Sequence, residues 1–128
     1  MEVKILINCL IVGFGGAIGS IFRYLLSLVF VTGKTVFPIG TFIANILGAF
    51  IIGISVGVLS KFIKMDSAYG LFLRVGLCGG FTTFSTFALE NVSLMQNGKI
   101  VLAATYIVLS LLLCLFAVWF GQKVVVYL

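Results

Sequence analysis

Four long apolar stretches occupy nearly all of the chain, separated by short clusters of charged and turn-forming residues. The first runs from about Ile5 to Val31, and its uncharged part ends at Arg23. The second carries no charge from Thr35 to Ser60, with Pro38 near its start, where a missing N–H is tolerated. The third begins near Ser67 and holds Arg74 in its first turns, and the fourth is uncharged from Ile100 to about Gln122. A helix needs about 20 mostly apolar residues to cross the hydrocarbon core, so each stretch predicts a membrane-spanning helix. The connections fall around Gly33-Lys34, at Lys61, Lys64 and Asp66, and at the turn signal Gln96-Asn97-Gly98-Lys99. The expected architecture is an all-α membrane protein, with residues 1–128 forming one subunit of four transmembrane helices.

The third stretch departs from this pattern in its middle, at Gly79-Gly80-Phe81-Thr82-Thr83-Phe84-Ser85-Thr86-Phe87. Two adjacent glycines give up helix propensity, and the threonines offer hydroxyls that compete for backbone hydrogen bonds. A helix interrupted at the glycines and resuming near Phe84 is predicted. Broken backbone at bilayer depth survives only where protein or a wet cavity satisfies it, so the interruption marks an interior surface and a candidate binding site. Its freed carbonyls suit a small hard cation, and the N-terminus of the resuming half-helix favours an anion. The alternative is a glycine contact that only lets helices pack closely.

Polar positions in the other stretches fall on helical stripes. Gly15 and Gly19 share one face, which predicts a close-packing seam, and Gly53 and Gly57 continue that theme in the second span. Thr41, Asn45 and Gly48 stand at i, i+4 and i+7, so a hydroxyl and an amide line up with a glycine. The amide is either interhelical glue or a donor to a desolvated anion. Tyr106, Ser110 and Cys114 form a second track at i, i+4 and i+8, with Thr105 off the line. Phe84 and Phe87 share a face, either as packing or as rings whose positive edges meet an anion. Glu90 is either a helix-end carboxylate or a partner for pore hydroxyls. Arg23, several residues inside its helix, either snorkels to the headgroups or makes an electropositive vestibule.

Composition narrows the chemistry. Of 128 residues 62% are hydrophobic and 9% charged, with one proline, which fits a membrane protein and not a soluble domain. The formal charge of +5 comes from scattered cations, which read as interfacial anchors and form no nucleic-acid patch. Cys9, Cys78 and Cys114 have no metal-site spacing, and the chain has no histidine. Glu2 and Asp66 lie outside the spans, so material for a general-base or nucleophilic constellation is lacking and an enzyme is not expected.

Three motifs, GGAIGSIFRY at 15–24, GTFIANILGAF at 40–50 and GLCGGFTTFSTF at 76–87, together resemble the CrcB/Fluc family of fluoride ion channels, over essentially the whole chain. The resemblance implies a multi-pass cell-membrane protein, assembled as an antiparallel, dual-topology homodimer. It would pass fluoride passively out of the cytoplasm through two pores and reduce its toxicity. It further implies a structural sodium ion at the dimer centre, held by backbone carbonyls of Gly79 and Thr82 from both subunits. Phe84 and Phe87 look like the family's pore phenylalanines and Asn45 like its pore asparagine. Tyr106 and Ser110 look like its polar track, and Thr41 with Glu90 like a pair at one pore end. Cys114 stands on that track where a hydroxyl is expected, and a thiol is the weaker donor.

Fluoride is small and strongly hydrated, so a pore must replace its water with dense donors while avoiding fixed cations that would hold it. Lys4, Lys61, Lys64, Arg74 and Lys123 fall toward one side of the membrane and Arg23, Lys34 and Lys99 toward the other, a bias small enough for insertion in both orientations. A proton-coupled exporter similar to the small multidrug resistance family would need a titratable carboxylate in its cavity, and the first span has no acid beyond Glu2. A packing subunit of a larger complex would use the same glycines as interfaces and carry no ions.

Overall fold

The four apolar stretches fold as helices long and apolar enough to cross a membrane. The computed structural model describes residues 1–30 and 35–128, and the connection expected at Gly33-Lys34 lies outside the described residues. Helix α1 spans Glu2–Phe30 and α2 spans Ile39–Phe62. The third stretch divides into α3 (residues 68–81) and α4 (Phe84–Gln96), and α5 spans Ile100–Val126. At about 1.5 Å per residue the 24 to 29 residues of α1, α2 and α5 exceed the roughly 30 Å hydrocarbon core, so their ends reach the headgroups. Large apolar side chains such as Leu6, Leu10, Phe14, Leu25 and Leu28 stand exposed along α1, as a lipid-facing surface requires.

Local chemistry sets the element ends. The Ser67 hydroxyl caps α3 by accepting from the Gly70 amide at 3.2 Å. Gly98, at φ 74°, takes the left-handed turn that closes α4 into α5. The expected Gln96–Lys99 turn is therefore present. Pro38 immediately precedes α2, where it removes no helical hydrogen bond.

Two tight pairings carry the packing. Along the seam of α1 with α3, a Cβ built on Gly15 would stand 2.7 Å from the Phe72 carbonyl, and one on Gly80 would stand 3.0 Å from the Gly16 Cα. Along α2 and α5, a Cβ on Gly121 would stand 2.6 Å from the Phe50 carbonyl, and one on Gly57 would stand 2.9 Å from the Val125 Cβ. The seams predicted at Gly15 and Gly19 and at Gly53 and Gly57 are thus contacts between backbones and small side chains.

The interruption of the third span is present, but not at the glycines. Gly79 keeps helical angles (φ −63°, ψ −37°), and helix continues through Phe81. The chain leaves it at Thr82 (φ −85°, ψ 158°) and Thr83 (φ −151°, ψ 120°). A helical glycine costs about 1 kcal/mol against alanine, and here the close approach of α1 to Gly80 offsets that cost. Before the break, Leu71–Cys78 is wound as a π-helix, wider than an α-helix by one residue in each hydrogen-bonded ring.

Candidate functional site

A continuous helix would direct the Thr83 and Thr86 amides to the carbonyls of Gly79 and Thr82. At the break both donors go elsewhere. The Thr83 N–H donates to Asn45 Oδ1 at 2.8 Å, and the Thr86 N–H donates to the Thr83 hydroxyl at 3.2 Å, which caps α4. The carbonyls of Gly79 and Thr82 are thereby released from the helix ladder. Asn45 Nδ2 donates in turn to the Thr83 carbonyl at 3.1 Å, so one amide grips both polar groups of the same peptide residue. The Gly80 carbonyl, also freed, accepts from Arg23 Nε at 3.2 Å and from the Ser20 hydroxyl at 3.5 Å. Helices α1 and α2 therefore hold the break from two sides.

Beside the break lies a groove of about 400 Å³ whose walls include Asn45, Gly79, Thr82, Phe84, Phe87, Ser110 and Cys114. All seven of these were singled out in the sequence and are thus brought to one place. Phe87 is buried and Phe84 is 77% exposed, with ring centroids 5.7 Å apart, so the two rings share a face but only one is covered by the chain itself. Ser110 is buried with its hydroxyl unpartnered among the described residues. Arg74 is the one charged side chain among the lining residues, and the absence of an acid there leaves the groove electropositive.

A second polar cluster adjoins the groove. Glu90 Oε1 accepts from the Thr41 hydroxyl at 2.6 Å and Oε2 from the Tyr106 hydroxyl at 2.9 Å, so α2 and α5 both bind a carboxylate carried by α4. Charge-assisted bonds of this kind are the stronger class. The Tyr106 ring, fully buried, packs edge-on against Phe87 at 4.9 Å and so stands between the groove and the carboxylate. Glu90 also lines a separate outer cavity with Ser93, Asn97 and Lys99.

The stripe Thr41, Asn45 and Gly48 thus follows the third span from the break into its second half: Gly48 against the Thr82 methyl, Asn45 at Thr83 and Thr41 at Glu90. Arg23 lies outside the groove walls, at Gly80. Sequence reasoning left three features out: Arg74 on the groove wall, the Asn45 grip on Thr83, and Asn91. Asn91 is buried, donates to the Phe87 carbonyl at 2.8 Å and leaves its Oδ1 unpartnered among the described residues. Its spacing of four from Phe87 is the only sequence signal that could have placed it on the core face.

The family described as CrcB-like protein, Camphor Resistance (CrcB), matches residues 10–122. A relative from Ruminiclostridium cellulolyticum, named a fluoride-specific ion channel FluC, is 46% identical over 120 residues, covering 93% of this chain and 92% of its own. One of the same name from Shewanella oneidensis is 43% identical over 120 residues, covering 92% of this chain and 95% of its own. A third, from Flavobacterium psychrophilum, is 44% identical over 111 residues, covering 86% and 90%. With the broken third span, the polar stripes and these matches over nearly its whole length, the chain belongs to the CrcB family.

Proposed function

We propose that the protein is a fluoride-selective channel of the cell membrane that passes cytoplasmic fluoride passively outward. The observation that carries this reading is the convergence of Asn45, Phe84, Phe87 and Ser110 on one groove beside the break, in a chain whose relatives are named fluoride-specific channels. Fluoride parts with its water only for dense donors, and the second Nδ2 hydrogen of Asn45, the free Ser110 hydroxyl and the edges of the two rings are donors without a formal positive charge. Such contacts bind strongly enough to admit the ion and weakly enough to release it. The work is that of a conduit and not of an enzyme.

The groove is open along the side where Phe84 stands uncovered, and a second copy in antiparallel orientation would close it. In this assembly two copies complete two pores. Thr41, Tyr106 and Glu90 form the polar exit from each, and Arg23 stands in the vestibule while tethering Gly80. A sodium ion at the centre fits the chemistry of the released Gly79 and Thr82 carbonyls, hard and neutral oxygens whose helical donors are bound elsewhere. When bound, it would supply fixed positive charge that ties two breaks together.

Reconstituted protein is expected to release fluoride from liposomes down its gradient, with charge balanced by a potassium ionophore, and to retain chloride. Folded, dimeric protein that releases neither ion, or both equally, would overturn the reading.

A further inference from the structure

The chain has two arginines, both inside the spans, and the fold gives them different work. Arg23 donates its Nε to the Gly80 carbonyl at 3.2 Å and lies outside the groove walls. Arg74, half-buried on α3, lines the groove and has no hydrogen-bond or ion-pair partner among the described residues. The acid of the third span, Glu90, stands beyond the break with both oxygens already bound, by Thr41 and by Tyr106. An unpaired charge within a span is costly unless it meets water, so Arg74 marks a wet part of the groove. The turn that carries it belongs to the π-helix over Leu71–Cys78, a rare winding that recurs at functional sites.

Arg74, Cys78 and Thr82 stand at i, i+4 and i+8 and all line the groove, so one face of α3 follows it from the guanidinium to the break. Eight residues of helix put Arg74 about 10 Å from Thr82 along the axis, toward the end where α3 begins. The last turns of α2 and α5 meet at that same end, where Lys61 donates to the Val125 carbonyl at 3.5 Å and shares a cavity with Gln122. The groove therefore has unlike ends. One presents a cation, and the other presents the neutral donors Asn45 and Ser110 with the edges of Phe84 and Phe87.

We infer that Arg74, and not Arg23, is the residue that gathers the anion at the groove, raising the local concentration of fluoride at its mouth while the neutral donors beyond it select the ion. Attraction without capture requires this separation, because a cation among the donors would hold the ion it draws in. The effect on transport rests on the reading of the groove as the fluoride path, while the attraction of small anions to Arg74 does not.

The test compares full-length protein with its Arg74→Gln and Arg74→Lys variants in liposomes of uncharged lipid, at low fluoride and low ionic strength. Arg74→Gln is expected to slow fluoride efflux about two- to tenfold, Arg74→Lys to keep most of the rate, and all three proteins to retain chloride. Raising the ionic strength with an impermeant salt should slow the unsubstituted protein toward the glutamine variant and leave that variant nearly unchanged. Efflux from Arg74→Gln equal to that of the unsubstituted protein at low ionic strength would overturn the inference. So would equal slowing by glutamine and lysine at every ionic strength, which is the mark of a structural role alone. If the unsubstituted protein passes no fluoride, the channel reading fails, and labelling of the two arginines by phenylglyoxal, resolved by peptide mass, decides the attraction. Fluoride or chloride at low ionic strength should slow labelling at Arg74 more than at Arg23, and labelling at Arg74 that neither ion changes would overturn the inference.

Discussion

Asn45 uses both ends of its amide on one residue, accepting from the Thr83 N–H and donating to the Thr83 carbonyl, and keeps one N–H for the groove. Asn45→Leu removes both bonds and leaves a partly buried peptide unpaired, a loss of about 1–3 kcal/mol per group, together with reduced fluoride efflux. Thermal unfolding and efflux of the same preparation check the pair of effects. Phe84→Leu separates them: the ring is 77% exposed, so efflux should fall with little change in the stability of the single chain. Undiminished efflux in both variants would return these residues to packing. At Glu90 the two hydroxyl donors share one carboxylate, so Thr41→Val and Tyr106→Phe should be non-additive. A double-mutant cycle on unfolding is expected to give a coupling of about 0.5–3 kcal/mol. Helical spacing made the stripe Thr41, Asn45, Gly48 and the track Tyr106, Ser110 legible in the sequence. What it could not supply was the partner of each polar group, because Asn45 with Thr83 and Arg23 with Gly80 meet across 38 and 57 residues of chain.

The break in the third span is where local propensity and tertiary contact part. That the span is interrupted could be read from Gly79 through Thr83. The position could not, because Gly80 answers to the backbone of α1 while the two threonines take the extended angles. The π-helix over Leu71–Cys78 left no mark in the pattern of apolar residues either. Gly80→Ala tests the division of labour. Its methyl group would meet the Gly16 backbone, with the Cα at 3.0 Å, so α1 must shift or the span must bend. The expected cost is about 1–3 kcal/mol of stability, with weakening of the Arg23 bond to the Gly80 carbonyl. Unfolding measurements check the first, and reduced efflux accompanies the second. A fully stable Gly80→Ala protein would mean that the glycines are there for the break after all.

At the scale of the whole molecule, length and hydropathy were enough to announce four spans, since nothing else accommodates so much apolar surface. The proposed pairing of two copies was not legible in hydropathy in the same way, because the exposed ring of Phe84 on the groove wall is a feature of the folded chain. If a sodium ion ties two breaks together, replacing sodium by potassium should lower the thermal midpoint of the dimer. The stabilisation lost would be about 2–3 kcal/mol where sodium had exceeded its dissociation constant roughly a hundredfold. An unchanged midpoint would remove the ion from the account.

The uncovered ring of Phe84 has a genetic corollary. If, as proposed, two copies close each other's grooves, a wall that each lends to the other makes a defect contagious. A cell producing normal chains alongside a Phe84 variant would assemble mixed pairs, and resistance to external fluoride would fall further than the dose of normal product alone dictates.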